Sequence, residues 1–259
     1  MKITLRGFLA YALTYLAVAF LVSPLIAAVP VSFTAKRYLS MPEGDWSWLH
    51  YQELFTSDIW RNGIFTSIQA GIVTSVISTV LAFLFAVGLW YTQSRLTRTL
   101  VALALVPMAV PPIVSSLTMY FFSTQADIYD SMLGVVIAHT VMALPYAVVT
   151  ILVSINQVDR RIELAARNLG ASVWQTTFWV ILPNVKFGVL SAAFLSFILS
   201  WEEISVTLFV TSVDVVTLPK LMWSGLRDSI DPVIAAIAVI LTVIASVCVL
   251  VRGDSRQVG

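Results

Sequence analysis

Charge is scarce in this chain. Lys, Arg, Asp and Glu make up 11% of 259 residues, hydrophobic residues make up 59%, and the mean hydropathy is +0.91. Soluble domains carry about 25% charged residues, so most of this apolar surface must face lipid. A formal net charge of +1 leaves no basic footprint for a nucleic acid. Cysteine is nearly absent. The single Cys248 lies in the last apolar run, which excludes an intrachain disulfide and a thiolate metal cluster and reads as a small apolar residue. The only histidines, His50 and His139, are far apart and lack H-E-x-x-H spacing, which argues against an intramembrane metalloenzyme. His50 has no second His, Cys or acid at ligand spacing and reads as a bystander. No G-x-x-x-x-G-K-[ST] run occurs, so the chain cannot hold ATP in a P-loop of its own.

What the sequence does have is apolar length. Six runs, at about 8–31, 64–90, 100–122, 132–155, 187–210 and 232–251, are each long enough to cross a bilayer, for which about 20 residues suffice. The first follows Lys2 and Arg6 but is too long for a signal-peptide core and lacks a clear A-x-A site, so it reads as a retained span. Six spans put both termini on one side. Five of the fifteen basic residues (Lys36, Arg37, Arg61, Lys220 and Arg227) fall on the other side and the remaining ten on the side of the termini. The positive-inside rule then makes the termini cytoplasmic. The first external loop carries Trp46, Trp48, Tyr51, Phe55 and Trp60, a density that suits interfacial anchoring, with docking of an external partner as the alternative.

Between spans four and five lies a polar, arginine-bearing cytoplasmic segment, 156–186. Asp159 is placed to cap a helix with Glu163 in its first turn. Leu164, Ala165, Leu169 and Val173 recur at helical spacing, Gly170 permits a tight bend, and Trp174, Phe178 and Ile181 form a second stripe that Pro183 should stop. The expectation is two short helices at an angle, able to enter a groove on a partner.

ELAARNLG followed by VILP resembles the EAA motif of permease subunits of binding-protein-dependent ABC importers. Ala165, Ala166, Gly170, Leu182 and Pro183 match, and Gly170 to Pro183 has the family's spacing; the family's Glu position is Leu164 here, with Glu163 one place earlier. The resemblance implies an all-α membrane protein of six transmembrane helices. Its fold would be that of a type I (MetI-like) importer permease in a single domain with a cytoplasmic coupling helix. Glu163, Ala165, Ala166, Gly170, Leu182 and Pro183 would make the contact with an ATP-binding subunit. It also implies a complex of two permeases, differing from each other, with two ATPase subunits and a periplasmic solute-binding protein. The chain itself would be no enzyme and hold no cofactor, with ATP and Mg bound by the partner.

Polar groups inside spans point to a pathway, because an unpaired ionisable group in lipid is costly. Glu202 and Glu203 lead; on a continuous helix they lie about 100° apart, so one would face the cavity while the other pairs or lies near the external end. Ser115 and Ser116 follow the kinking Pro107, Pro111 and Pro112 of span three, and Tyr146 lies beside Pro145 in span four. His139 reads as a structural hydrogen bonder rather than a proton relay. From the acidic pair onward, Phe209, Val210, Thr211, Leu218, Pro219 and Pro232 resemble the spermidine/putrescine importer permeases. That implies an amino-bearing solute: a polyamine, an opine or an aminophosphonate. An ion-coupled secondary transporter is the alternative, but no internal repeat supports it. A channel would leave the cytoplasmic motif unexplained.

Overall fold

A computed structural model describes residues 5–92, 94 and 96–254. Lys2, Arg95 and Arg256 lie outside the described residues, as do the side chains of Arg6, Cys248 and Arg252. The described residues form helices and no named strand; one isolated antiparallel bridge joins Thr34 and Trp46. The chain divides into two compact units, one from residues 1–61 with 221–259 and one from residues 62–220.

In the first unit, α1 (Leu5–Ser32) packs against α12 (Val233–Asp254), which also receives the short α2 (Leu49–Thr56). No residue is buried in the window of α1 that is apolar enough to span a bilayer, so that stretch offers most of its side-chain surface outward. The loop aromatics gather around Phe33: Trp46, Trp48 and Tyr51 have ring centroids 5.9, 4.9 and 5.2 Å from it. Trp46, Trp48 and Phe55 remain exposed, as interfacial anchoring requires, whereas Trp60 is buried. His50 is also buried, and its Nε2–H donates to the Lys36 carbonyl at 3.0 Å.

The second unit is built from most of α3 (Asp58–Thr92), α4 (Leu96–Ala109), α5 (Pro112–Gln125), α6 (Met132–Ile155), α7 (Arg160–Asn168), the single turn α8 (Val173–Gln175), α9 (Leu182–Glu202) and α10 (Ser205–Val210). A connecting helix, α11 (Leu218–Ser224), follows. Its core is a helical stripe on α6, Ala147, Val148, Ile151 and Ile155, meeting Ala82, Phe83 and Ala86 of α3 and Val185 and Ala192 of α9. Small residues set these crossings, because in lipid close packing rather than water exclusion holds helices together. At Gly188 an added Cβ would collide with the Ser154 side chain of α6, and at Gly71 it would fall 2.8 Å from the Phe197 ring of α9. Ser75 adds a hydrogen bond from its hydroxyl to the Ala193 carbonyl at 2.6 Å.

Among the described residues, four helices are long and apolar enough to span a membrane: Tyr11–Ser32, Asp58–Thr92, Met132–Ile155 and Val173–Glu202. Two expected spans need correction. The run at 100–122 is two helices, α4 and α5, bent by 99° between Ala109 and Pro112. Two consecutive prolines there remove backbone donors, and Pro111 disfavours helical geometry at Val110, so the expected kink is a break. The run at 187–210 is not one helix either. It starts earlier, at Val173, and stops at Glu202, where Glu203 is extended (φ −70°, ψ 116°) before α10 begins. The last run forms α12 at Val233–Asp254.

Candidate functional site

α7 opens as the spacing predicts. The Asp159 side chain accepts the Arg161 N–H at 2.9 Å, closing the N-terminal end of the helix. Glu163 turns inward and is buried, with Arg167 Nη1 donating to its Oε1 at 3.5 Å one turn on. Leu164, at the position where the resemblance places an acid, is 55% exposed, so this helix presents a leucine outward where a carboxylate was expected. Gly170 ends the helix at φ +89°, in the left-handed region that only glycine enters without strain.

Ser172 then starts the next helix with a reciprocal cap. Its Oγ accepts the Gln175 N–H at 3.2 Å, and its own N–H donates to Gln175 Oε1 at 2.8 Å. The expected second short helix is instead the first part of the long helix running to Glu202, so Pro183 does not stop the pattern. Residues Thr176–Ile181 form a π-helical turn, with the Leu182 N–H reaching the Thr177 carbonyl five residues back. Pro183 has no N–H to give, and its ring would strike a carbonyl one α-turn earlier; the widened turn accommodates both. Ile181 is buried, while Trp174 and Phe178 stack with centroids 5.8 Å apart. Leu169, Trp174 and Trp179 are exposed; Leu169 and Trp179 line a shallow hollow with Ala166, Gly170 and Ala171.

The acidic pair sits at a helix break, so the two residues are not 100° apart on one helix as expected. Glu203 is committed: its Oε1 accepts the Val206 N–H at 2.9 Å in the first turn of α10. Glu202, the last residue of α9, is exposed, and its carboxylate has no hydrogen bond or ion pair among the described residues. Behind the break lies a buried polar chain. Thr207 donates its hydroxyl proton to the Glu203 carbonyl at 3.0 Å, so its oxygen accepts from His139 Nε2–H at 2.9 Å. His139 Nδ1 then accepts from the Ser200 hydroxyl at 2.8 Å. His139 of α6 therefore ties the two sides of the break together, the structural bonding its sequence context suggests.

The remaining pathway candidates separate. Ser115 and Ser116 are buried in α5, with the Ser116 hydroxyl donating to the Pro112 carbonyl at 2.7 Å. Tyr146 lies two turns beyond His139 on α6 and is 37% exposed. No hydrogen bond or ion pair joins Glu202 to Ser115, Ser116 or Tyr146 among the described residues. No group of three or more His, Cys, Asp or Glu side chains capable of holding a metal occurs among the described residues.

Sequence reasoning missed Asp130. Lying between α5 and α6 at φ 52°, it accepts the backbone N–H groups of Ser212, Val213, Asp214 and Val215 at 2.8–3.2 Å. Burial works to raise its pKa, but these four bonds favour the charged form and hold it down to about 2. Lys220 donates to Thr211 Oγ1 at 2.7 Å and to the Ser212 carbonyl at 2.6 Å, closing the same loop. Burial lowers the Lys220 pKa and the Asp130 carboxylate opposes that. No motif announces such a clamp, because its acceptors' partners are backbone atoms 82 to 85 residues away.

Comparison with known proteins agrees with this architecture. The chain is 29% identical over 241 residues to the spermidine/putrescine transport system permease protein PotC of Haemophilus influenzae, covering 93% of each chain. It is 26% identical over 231 residues to the putrescine transport system permease protein PotI of Escherichia coli, covering 86% of this chain and 81% of that one. It is also 28% identical over 228 residues to a probable molybdenum ABC transporter permease protein of Haloferax volcanii, covering 83% and 84%. In fold it resembles a solved bacterial ABC transporter involved in import of the acidic polysaccharide alginate (TM-score 0.70, 16% identity, 97% of this chain and 95% of that). It also resembles an amino acid ABC transporter (TM-score 0.55, 20% identity, 80% and 96%). The family described as binding-protein-dependent transport system inner membrane component matches residues 79–253, well over half of the sequence, and the chain belongs to that family, as a multi-pass permease of the type I ABC importer fold.

Proposed function

We propose that this chain is one half of the membrane passage of an ATP-driven importer, taking a small amino-bearing, polyamine-like solute from an external binding protein to the cytoplasm. The observation that carries this reading is the segment 156–186. It is a doubly capped, glycine-hinged helical elbow on which Leu164, Leu169, Trp174 and Trp179 are exposed alongside its arginines. Such apolar groups gain by entering a groove on a partner, and the partner with the means to move them is a P-loop ATPase, which would hold the ATP and Mg. Ala165, Ala166 and Gly170 allow close approach, Leu182 and Pro183 join the elbow to α9, and Glu163 stiffens it through Arg167. Two ATPase subunits and a second, different permease complete the complex. The termini and this elbow face the cytoplasm by the distribution of basic residues.

For the solute, the exposed Glu202 at the α9–α10 break is the acid we assign to the pathway, with Tyr146 further along; Ser115, Ser116 and Glu203 shape it from behind. A carboxylate in a passage partly offsets the desolvation of an ammonium and repels an oxyanion. That favours a polyamine over the molybdenum species named for one relative. The test is purification of the complex from its native membrane and reconstitution into vesicles. Co-purification of a P-loop ATPase and ATP-dependent uptake of putrescine, with Gly170→Asp hydrolysing ATP but importing at least tenfold less, is the expected result. Recovery of the chain alone, with uptake driven by an ion gradient, would overturn it.

A further inference from the structure

Within the 62–220 unit, at the end carrying the α6–α7 turn, lies a cavity of about 440 Å³ that the coupling role does not use. Leu89 and Leu152 are part of its apolar side; Trp90, Thr97, Asn156 and Arg160 are part of its polar side, and no acid lines it. Trp90 is only 6% exposed, yet among the described residues its indole Nε1–H has no hydrogen-bond partner, and neither has the Thr97 hydroxyl. An indole N–H only donates, so a bound group that accepts hydrogen bonds would satisfy it. The Trp90 ring is held in place by Arg160, whose guanidinium lies 4.6 Å from its centroid and donates to the Trp90 carbonyl at 3.1 Å. Arg160 has no carboxylate partner among the described residues.

Unpaired donors and a cation at one end of a cavity, with hydrocarbon at the other, specify an amphiphile whose head group accepts hydrogen bonds and is negative. The level of the cavity, at the ends of the spanning helices α3 and α6, is where lipid head groups lie. We propose that this cavity binds the phosphate of one anionic phospholipid. Trp90 Nε1–H and the Thr97 hydroxyl donate to phosphate oxygens, Arg160 balances the charge, and an acyl chain runs along Leu89 and Leu152. The shared chemistry is a phosphate anion, and the lipid is favoured over free phosphate because half of the lining is apolar. The inference rests on the membrane placement of these helices, not on the identity of the solute.

The test uses the whole complex, delipidated in detergent and titrated with phosphatidylglycerol, phosphatidylcholine or inorganic phosphate under native mass spectrometry. One phosphatidylglycerol per copy of this chain should be retained, more tightly than phosphatidylcholine. Trp90→Phe, which keeps the ring and removes the donor, and Arg160→Gln should each weaken it about tenfold, while Arg161→Gln, at an exposed neighbouring charge, should not. Equal retention in wild type, Trp90→Phe and Arg160→Gln would overturn the proposal. Displacement of the lipid by equimolar inorganic phosphate would overturn it in favour of a free-anion site.

Discussion

Asp130 shows how much one side chain fixes when its partners are backbone. Its carboxylate closes the loop 212–215 with four N–H bonds. An amide in its place keeps one oxygen and turns two donors toward donors. Asp130→Asn should therefore lower thermal stability by about 1–3 kcal/mol at neutral pH, read as a shift in the melting temperature of the detergent-solubilised protein. The sign with pH follows from its depressed pKa. With a folded value of about 2 below the ordinary 3.8, the stabilisation is present above pH 3.8 and is lost as pH falls toward 2. Because the group is partly exposed, its electrostatic share is about 1–2 kcal/mol. The gap between wild type and Asp130→Asn should narrow across that window, and a constant gap would show that charge is not its source. His139 illustrates the opposite legibility. Its burial and structural role could be argued from an apolar context, but not that Ser200 and Thr207 would meet it across a helix break.

Elements depend on where neighbouring backbones can approach. α9 crosses α6 at Gly188, where any side chain would overlap Ser154. Gly188→Val should cost about 1–3 kcal/mol through overpacking, while Gly88→Ala, with open space around it, should be close to neutral. The comparison of melting temperatures and of protease resistance checks this; equal stability of the two variants would mean that α9 does not cross α6 at that point. Pro183 belongs to the same scale. In one dimension a proline after an apolar stripe reads as a stop, and in three the preceding residues widen into a π turn and the helix continues. The outcome depends on Ile181 and Val185 being buried against α6 and α3, a packing gain no local rule contains.

For the whole molecule, the assignment of sides makes a direct prediction. With Cys248 replaced by serine, a single cysteine introduced at Leu169 (90% exposed) should react with a membrane-impermeant maleimide only after the cells are opened, and one at Val213 (79% exposed) in intact cells. The reverse pattern would invert the topology and with it the location of the elbow at 156–186. That reverse pattern would also move the lipid site to the other leaflet.

Composition and run length alone made this a helical membrane protein, because 59% hydrophobic residues in lengths of about 20 have no other stable arrangement in lipid. The cap at Asp159 and the hinge at Gly170 were equally local: each needs only the residue and its immediate neighbours. What only the tertiary structure decided were the interruptions. The break after Glu202 is held by His139 of α6, which bonds Ser200 and Thr207 on its two sides from 61 and 68 residues away. The prolines between α4 and α5 and the Arg167 partner of Glu163 are local, and only the extent of the 99° turn and the inward aim of Glu163 appear in three dimensions. Helix formation in an apolar run is a sum over near neighbours, whereas the termination of a helix inside such a run depends on whether something elsewhere in the chain satisfies the freed groups.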